Sequence, residues 1–182
     1  MLKKRFLFLS LALALLLTSV TGAPALAAKP AAFNASGVID YITPGDVVPA
    51  GKFNEDTQDS ASGRWRVIER ELGGTLSGDI GGPFTFVYKA NVEKATQAGN
   101  FQGTMTVGDY LVRVNGKSLP IEFAGWYGPY PLYTLTLEGN WTFIDGAKGT
   151  GDLVASMTFI PTPDGHIAFI VGSDISMFGQ WH

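Results

Sequence analysis

Beyond residue 27 the chain has no stretch of about a dozen residues with a 3.6-residue apolar period. A surface helix needs that period to bury one face. Short runs rich in Val, Ile, Thr, Phe and Tyr recur instead, separated by Gly, Asn, Asp or Pro. That is the pattern of strands and turns, so the chain is expected to be all-β. Its 23 glycines, 10 prolines and 12% aromatic content point the same way.

The runs predict strands over residues 35–42, 64–72, 75–80, 84–90, 101–107, 110–114, 118–124, 133–138, 141–144, 152–160, 166–171 and 173–181. Gly73-Gly74 separates the second from the third. Asn115-Gly116-Lys117 predicts a hairpin turn, because Asn and Gly tolerate positive φ. Pro163-Asp164-Gly165 marks another turn. Sequential hairpins at this spacing describe a single-domain antiparallel meander that closes into a β-barrel, with a two-sheet β-sandwich as the alternative. Residues 167–171 read "IAFIV", apolar on both faces, and need cover on both sides. Segments 98–107 and 150–159 echo each other, with Met105-Thr106 matching Met157-Thr158. Residues 43–63 form the longest connection, a polar loop broken by Pro44 and Pro49.

Residues 1–27 are expected to be a signal peptide rather than part of the fold. Lys3, Lys4 and Arg5 precede the apolar run "FLFLSLALALLL", and Ala25-Leu26-Ala27 fits a small-x-small cleavage site. The run is shorter than the roughly 20 residues of a membrane span. One domain, 28–182, then remains. Cleavage takes three cations and no anion from 13 basic and 16 acidic residues, leaving 10 against 16. A negative chain without a basic cluster argues against nucleic acid as a partner. There is no cysteine, which excludes disulfides, thiol catalysis and Cys-ligated zinc. Export without disulfides suits a secreted, cell-exterior or periplasmic protein of a prokaryote.

Catalytic chemistry finds little support. His166 follows a turn and His182 ends the chain, neither placed like a protected base. No metal-binding pattern is present: "NEDTQDS", residues 54–60, lacks the spacing of a calcium loop. Neither a metal nor a cofactor is expected. In "RWRVIEREL" one alternating face carries Arg64, Arg66, Ile68, Arg70 and Leu72, and the other Trp65, Val67, Glu69 and Glu71. An Arg66–Glu69 pair pointing into a cavity would poise a carboxylate for proton transfer. An edge strand with solvated ion pairs is the other reading. Glu122 and Glu138 alternate with apolar neighbours and are expected to face outward.

The densest aromatic segment is "FAGWYGPYPLYTL", residues 123–135. Pro129 and Pro131 restrict the backbone around Tyr130 and Tyr133. Trp126, Tyr127, Tyr130 and Tyr133 are therefore candidate ligand-binding residues, held in place at a barrel rim or packed at a strand corner.

The segment "DGAKGTGDLVASMTFIPTPDGHIAFIVGSDISMFGQW", 145–181, resembles the C-terminal part of secreted eight-stranded barrels of the allene oxide cyclase and dirigent type. In both, a Gly-x-Gly turn opens a strand and an apolar strand closes the chain. The resemblance implies a barrel with an apolar cavity that binds or shapes a hydrophobic small molecule, and carries no site residue onto this chain. The leading functional expectation is a barrel binding a small, mainly apolar ligand in its interior. A cofactor-free isomerase or cyclase, and an exported surface or interaction protein able to self-associate, are the alternatives.

Overall fold

The structure, a computed structural model, describes residues 29–161 and 167–182. The predicted signal segment, His166 and the Pro163-Asp164-Gly165 turn lie outside the described residues. The strands are β1 (Ala31–Ile42), β2 (Asp46–Pro49), β3 (Phe53–Asn54), β4 (Asp59–Ser60), β5 (Arg64–Gly78), β6 (Gly82–Glu93), β7 (Gly99–Val107), β8 (Tyr110–Ser118), β9 (Glu122–Tyr127), β10 (Tyr130–Asp145), β11 (Gly149–Pro161) and β12 (Ile167–Trp181). Eight of them close an antiparallel barrel in the order β1-β12-β11-β10-β8-β7-β6-β5, and β5 pairs back onto β1. Apart from the closing pair β1–β12, neighbours follow one another around the ring in chain order, as expected of a meander. The sandwich alternative does not describe the chain.

The strands are longer than the sequence suggests. β5 runs through Gly73-Gly74, β8 through Asn115-Gly116, β10 through Gly139 and β12 through Gly172. These glycines do not break strands. Gly116 and Gly139 lie opposite one another where β8 and β10 approach closely. A Cβ added to Gly116 would fall within the Glu138 carbonyl group, and one added to Gly139 would crowd the Asn115 carbonyl. Similar backbone-to-backbone approaches occur at Gly37 and Gly74, Gly99 and Gly103, and Gly151 and Gly179. Glycine lets strands coil sharply enough to close a narrow barrel. The predicted Asn-Gly turn is therefore overridden: its glycine is required by barrel closure, and the actual β7–β8 turn is Gly108-Asp109, with Val107 opposite Tyr110.

Alternation then fills the interior. Phe33, Leu72, Phe86, Met105, Val112, Val114, Leu137, Trp141, Leu153, Met157, Ile175 and Met177 are all buried. The echoed methionines, Met105 and Met157, both point inward. At one end Phe33 packs against Trp141, Phe143 and Trp181, with ring centroids 4.6, 5.8 and 5.6 Å away. The Trp141 indole N–H donates to the Phe178 carbonyl at 3.3 Å. In the other half Phe86, Tyr88 and Phe101 form a second cluster. Among the described residues no buried side-chain polar atom lacks a partner. The barrel is a packed core, not an open tube.

The two ends differ. The aromatic end is closed by the short turns 79–81, 108–109 and 146–148. The other end carries the connection 43–63, the 94–98 turn and the β9–β10 hairpin. The connection is more ordered than a plain loop: β2 adds to the edge of β5, and β3 pairs β4. Among the described residues the non-glycine positions with positive φ are Gln58, Glu69 and Gln97 (51°, 52° and 59°), and all belong to this elaborated end. Such conformations are costly for ordinary residues and concentrate where a side chain must be aimed.

Candidate functional site

The strain at Glu69 has a clear geometric result. The β5–β6 register shifts between Val67 and Arg70. This is a β-bulge, which bends a strand and re-aims its side chains. Before it, Val67 points inward while Arg66 and Ile68 face solvent. After it the phase is reversed, so Arg70 turns into the barrel mouth and Leu72 is buried. Arg66 and Glu69 both stand exposed on the outer wall. They form no cavity pair, so the isomerase or cyclase reading built on them has no geometric support. The expected two-face alternation of this strand failed because a bulge carries no clear sequence mark.

Arg70 is the residue the sequence reading missed. Its Nε donates to the Pro44 carbonyl at 2.9 Å, which pins the start of the long connection over the mouth. Beneath it lies the buried Tyr88 phenol. Burial pushes this phenol above its ordinary value of 10.0, while the charge of Arg70 and a hydrogen bond from it act in the opposite direction. Around Arg70 is a recess of about 210 Å³ lined by Lys94, Gln97, Ile121, Tyr133, Leu135, Phe159 and Pro161. Two cations and an amide thus meet a largely apolar floor. A molecule with an apolar body and one anionic or hydrogen-bonding head fits that distribution.

The polar rim is tied together. The Trp65 indole N–H donates to Asp59 Oδ1 at 2.7 Å, and the Ser60 N–H donates to the same oxygen at 2.7 Å. Lys94 Nζ sits 3.8 Å from Asp59 Oδ2 and 5.0 Å from the Trp65 ring centroid. The Trp65 hydrogen bond, helped by Ser60 and Lys94 and opposed by partial burial, holds the Asp59 carboxyl below its ordinary 3.8. A carboxyl depressed on folding contributes stability that is fully present above the unfolded value and is lost as pH falls through the folded one. Acidifying from about pH 5 to well below pH 3.8 is thus expected to release residues 59–65 from Lys94 and change the Trp65 fluorescence. In Asp59→Asn that acid step should vanish. An unchanged step would assign it to other carboxylates.

The aromatic segment proves to be an arm rather than a rim. β9 continues the line of β8 along β10: Ser118 faces Leu137 and Glu122 faces Thr134. Residues 119–121, with Pro120, interrupt what is otherwise one long strand. The Ile121 N–H is taken by the Thr96 carbonyl at 2.8 Å. The hairpin then runs about 15 Å past the level of Thr134, at roughly 3.3 Å per residue. Gly128, at φ 59°, occupies the first central position of the Tyr127–Tyr130 turn, where glycine is favoured. Phe123 (56%), Trp126 (66%), Tyr127 (55%) and Tyr130 (55%) are exposed. Of the four predicted ligand residues only Tyr133 lines the recess, and its ring meets Phe123 at 6.0 Å. Trp126, Tyr127 and Tyr130 stand on the arm beyond it. Glu122 and Glu138 face outward as expected.

No family model, no curated protein and no solved structure matches this chain.

Proposed function

We propose that this chain is a ligand-binding β-barrel that takes a small, mainly apolar molecule with a single anionic or polar head at its elaborated mouth. The observation that carries this reading is the bulge at Glu69, which turns Arg70 over a recess with an apolar floor. The interior below is filled, so the ligand sits at the mouth and not along the barrel axis. At about 210 Å³ the recess is smaller than typical drug-sized pockets of roughly 300–1,000 Å³. It suits a compact ligand or the head of a longer one. Ile121, Leu135 and Phe159 would hold the apolar part, and Arg70 and Lys94 the head. The resemblance of segment 145–181 to the allene oxide cyclase and dirigent barrels supports the same class of ligand. The signal pattern in residues 1–27 supports a place outside the cell. The projecting aromatic arm supports the other reading, an exported interaction protein, because exposed apolar patches of this kind mark contact surfaces.

Thermal-shift and native mass-spectrometry screens with short and aromatic carboxylic acids, each beside its primary amide, would test the proposal. The acids are expected to bind. Arg70→Met should weaken binding by tenfold or more, which is the loss of about 1.4 kcal/mol expected for a charge-assisted contact. Equal binding by the variant, or no binding by any acid, would refute the assignment.

A further inference from the structure

We propose a second binding site on the outer wall of the barrel, built to take an acidic glycan. It lies over β5, β6, β7, β8 and β10, in a groove of about 890 Å³. Two rows of side chains cross the strands there. Arg66, Asn91, Asn100 and Lys117 are successive direct partners across β5, β6, β7 and β8. Lys89, Gln102, Asn115 and Asn140 are successive partners across β6, β7, β8 and β10. Neighbouring strands are about 4.8 Å apart, so the groove presents a regular grid of amides edged by cations.

Three features separate this grid from an ordinary solvated wall. Asparagine is depleted from strands because its side chain competes with the backbone. Here four Asn and one Gln stand together on neighbouring strands: Gln102, Asn115 and Asn140 inside β7, β8 and β10, and Asn91 and Asn100 paired near the ends of β6 and β7. Their amides have few protein partners and stand open to solvent or to a ligand: among the described residues the side chains of Asn100, Gln102 and Asn115 make no hydrogen bond to protein, and Asn91 Oδ1 only accepts from Arg64 Nε at a long 3.4 Å. The Asn140 amide donates to Asp152 Oδ1 at 2.7 Å, beyond the edge of the groove. Third, Arg66, Lys89 and Lys117 line the groove, and the carboxylates Glu138, opposite Lys117, and Asp152, opposite Asn140, stand at its β10 edge, although the whole chain carries a formal charge of −3.

The chemistry selects the ligand. A primary amide offers two donors and an acceptor, which matches sugar hydroxyls that both donate and accept. The three cations match carboxylate or sulfate groups along the same polymer. Single-stranded nucleic acid would need exposed aromatic faces on which bases stack, and the only aromatic lining the groove, Phe101, is buried with its ring inside the barrel. The site shares no lining residue with the mouth recess, so its fate is independent of the proposal made for Arg70.

The test is calorimetric titration of the chain with hexagalacturonate, maltohexaose and polyphosphate, followed by the side-chain amide signals in nuclear magnetic resonance spectra. Hexagalacturonate is expected to bind at least tenfold more tightly than maltohexaose and to shift the amides of Asn100, Gln102 and Asn115. Binding should weaken as salt is raised. The exposed double change Lys89→Gln with Lys117→Gln should weaken it tenfold or more. Replacing Gln102 and Asn115 by threonine, which suits strands, should weaken hexagalacturonate at least threefold and leave polyphosphate unaffected. Arg70→Met should leave hexagalacturonate binding unchanged. Polyphosphate binding as tightly as hexagalacturonate would reduce the site to a generic anion patch and overturn the proposal. So would unshifted amides, undiminished binding by the lysine variant, or loss of binding in Arg70→Met.

Discussion

Trp141→Ala is expected to cost the barrel about 3–5 kcal/mol, the range for deleting a buried aromatic side chain. Trp141 is fully buried and meets Phe33 and Phe143 at 4.6 and 5.2 Å between ring centroids. It closes the short-turn end of the barrel, where few loops are available to collapse into the vacated space. Its removal therefore loses both the transfer energy of the ring and the contacts of its neighbours. At a typical slope of about 2 kcal/mol per molar urea, the midpoint should fall by about 2 M. Trp141→Phe separates the contributions. It keeps most of the ring but leaves the Phe178 carbonyl without the indole donor, at a further cost of about 1 kcal/mol. A loss below about 1 kcal/mol in the alanine variant would mean that this end of the barrel is not packed as described.

Gly116→Ala should be as damaging, and the sign of the effect is diagnostic. Where there is room, replacing glycine by alanine stabilises by about 0.4–1 kcal/mol, because the unfolded chain loses freedom. At Gly116 the new methyl would meet the Glu138 carbonyl and the Gly139 Cα of the neighbouring strand. Backbone cannot move aside as a flexible side chain can, so β8 and β10 would have to separate. A loss of about 3 kcal/mol or more is expected, at the upper end of overpacking effects. Gly172→Ala is the control: a Cβ there meets nothing within 4 Å, and stability should stay within about 0.5 kcal/mol. Chemical denaturation followed by circular dichroism reads both. Equal outcomes for the two glycines would refute the idea that close strand approach requires Gly116.

These glycines also explain what the sequence revealed and what it hid. Alternation of apolar residues announced the strands, and runs of turn-linked strands announced a meander, because side-chain period 2 is a local property. Glycine has two meanings, turn and close approach, and local sequence does not distinguish them. Gly73-Gly74 and Asn115-Gly116 have the local pattern of breaks, and both are strand interior. The bulge at Glu69 was hidden for a related reason. It changes the phase of one strand by one residue, and both phases of "RWRVIEREL" mix charge with apolar groups. Arg70 was visible in the sequence only as one arginine among three. The aromatic residues of the arm were identified, but their direction depends on β9 extending β8 beyond the barrel, a tertiary fact. The outer amide grid did leave a trace: Asn91, Asn100, Gln102, Asn115 and Asn140 occupy strand positions that normally favour β-branched residues.

The pairing of Ala31 with Trp181 places the first and last strands side by side at the short-turn end, where the His182 N–H also reaches the Lys148 carbonyl at 2.9 Å. A short linker joining those two points, with new ends opened at Gly108-Asp109, would give a circular permutant with every barrel pairing kept. The same placement fixes orientation. A chain tethered to a surface through either point would stand on its aromatic base, with Arg70, the recess and the aromatic arm held at the far end, facing the surrounding medium.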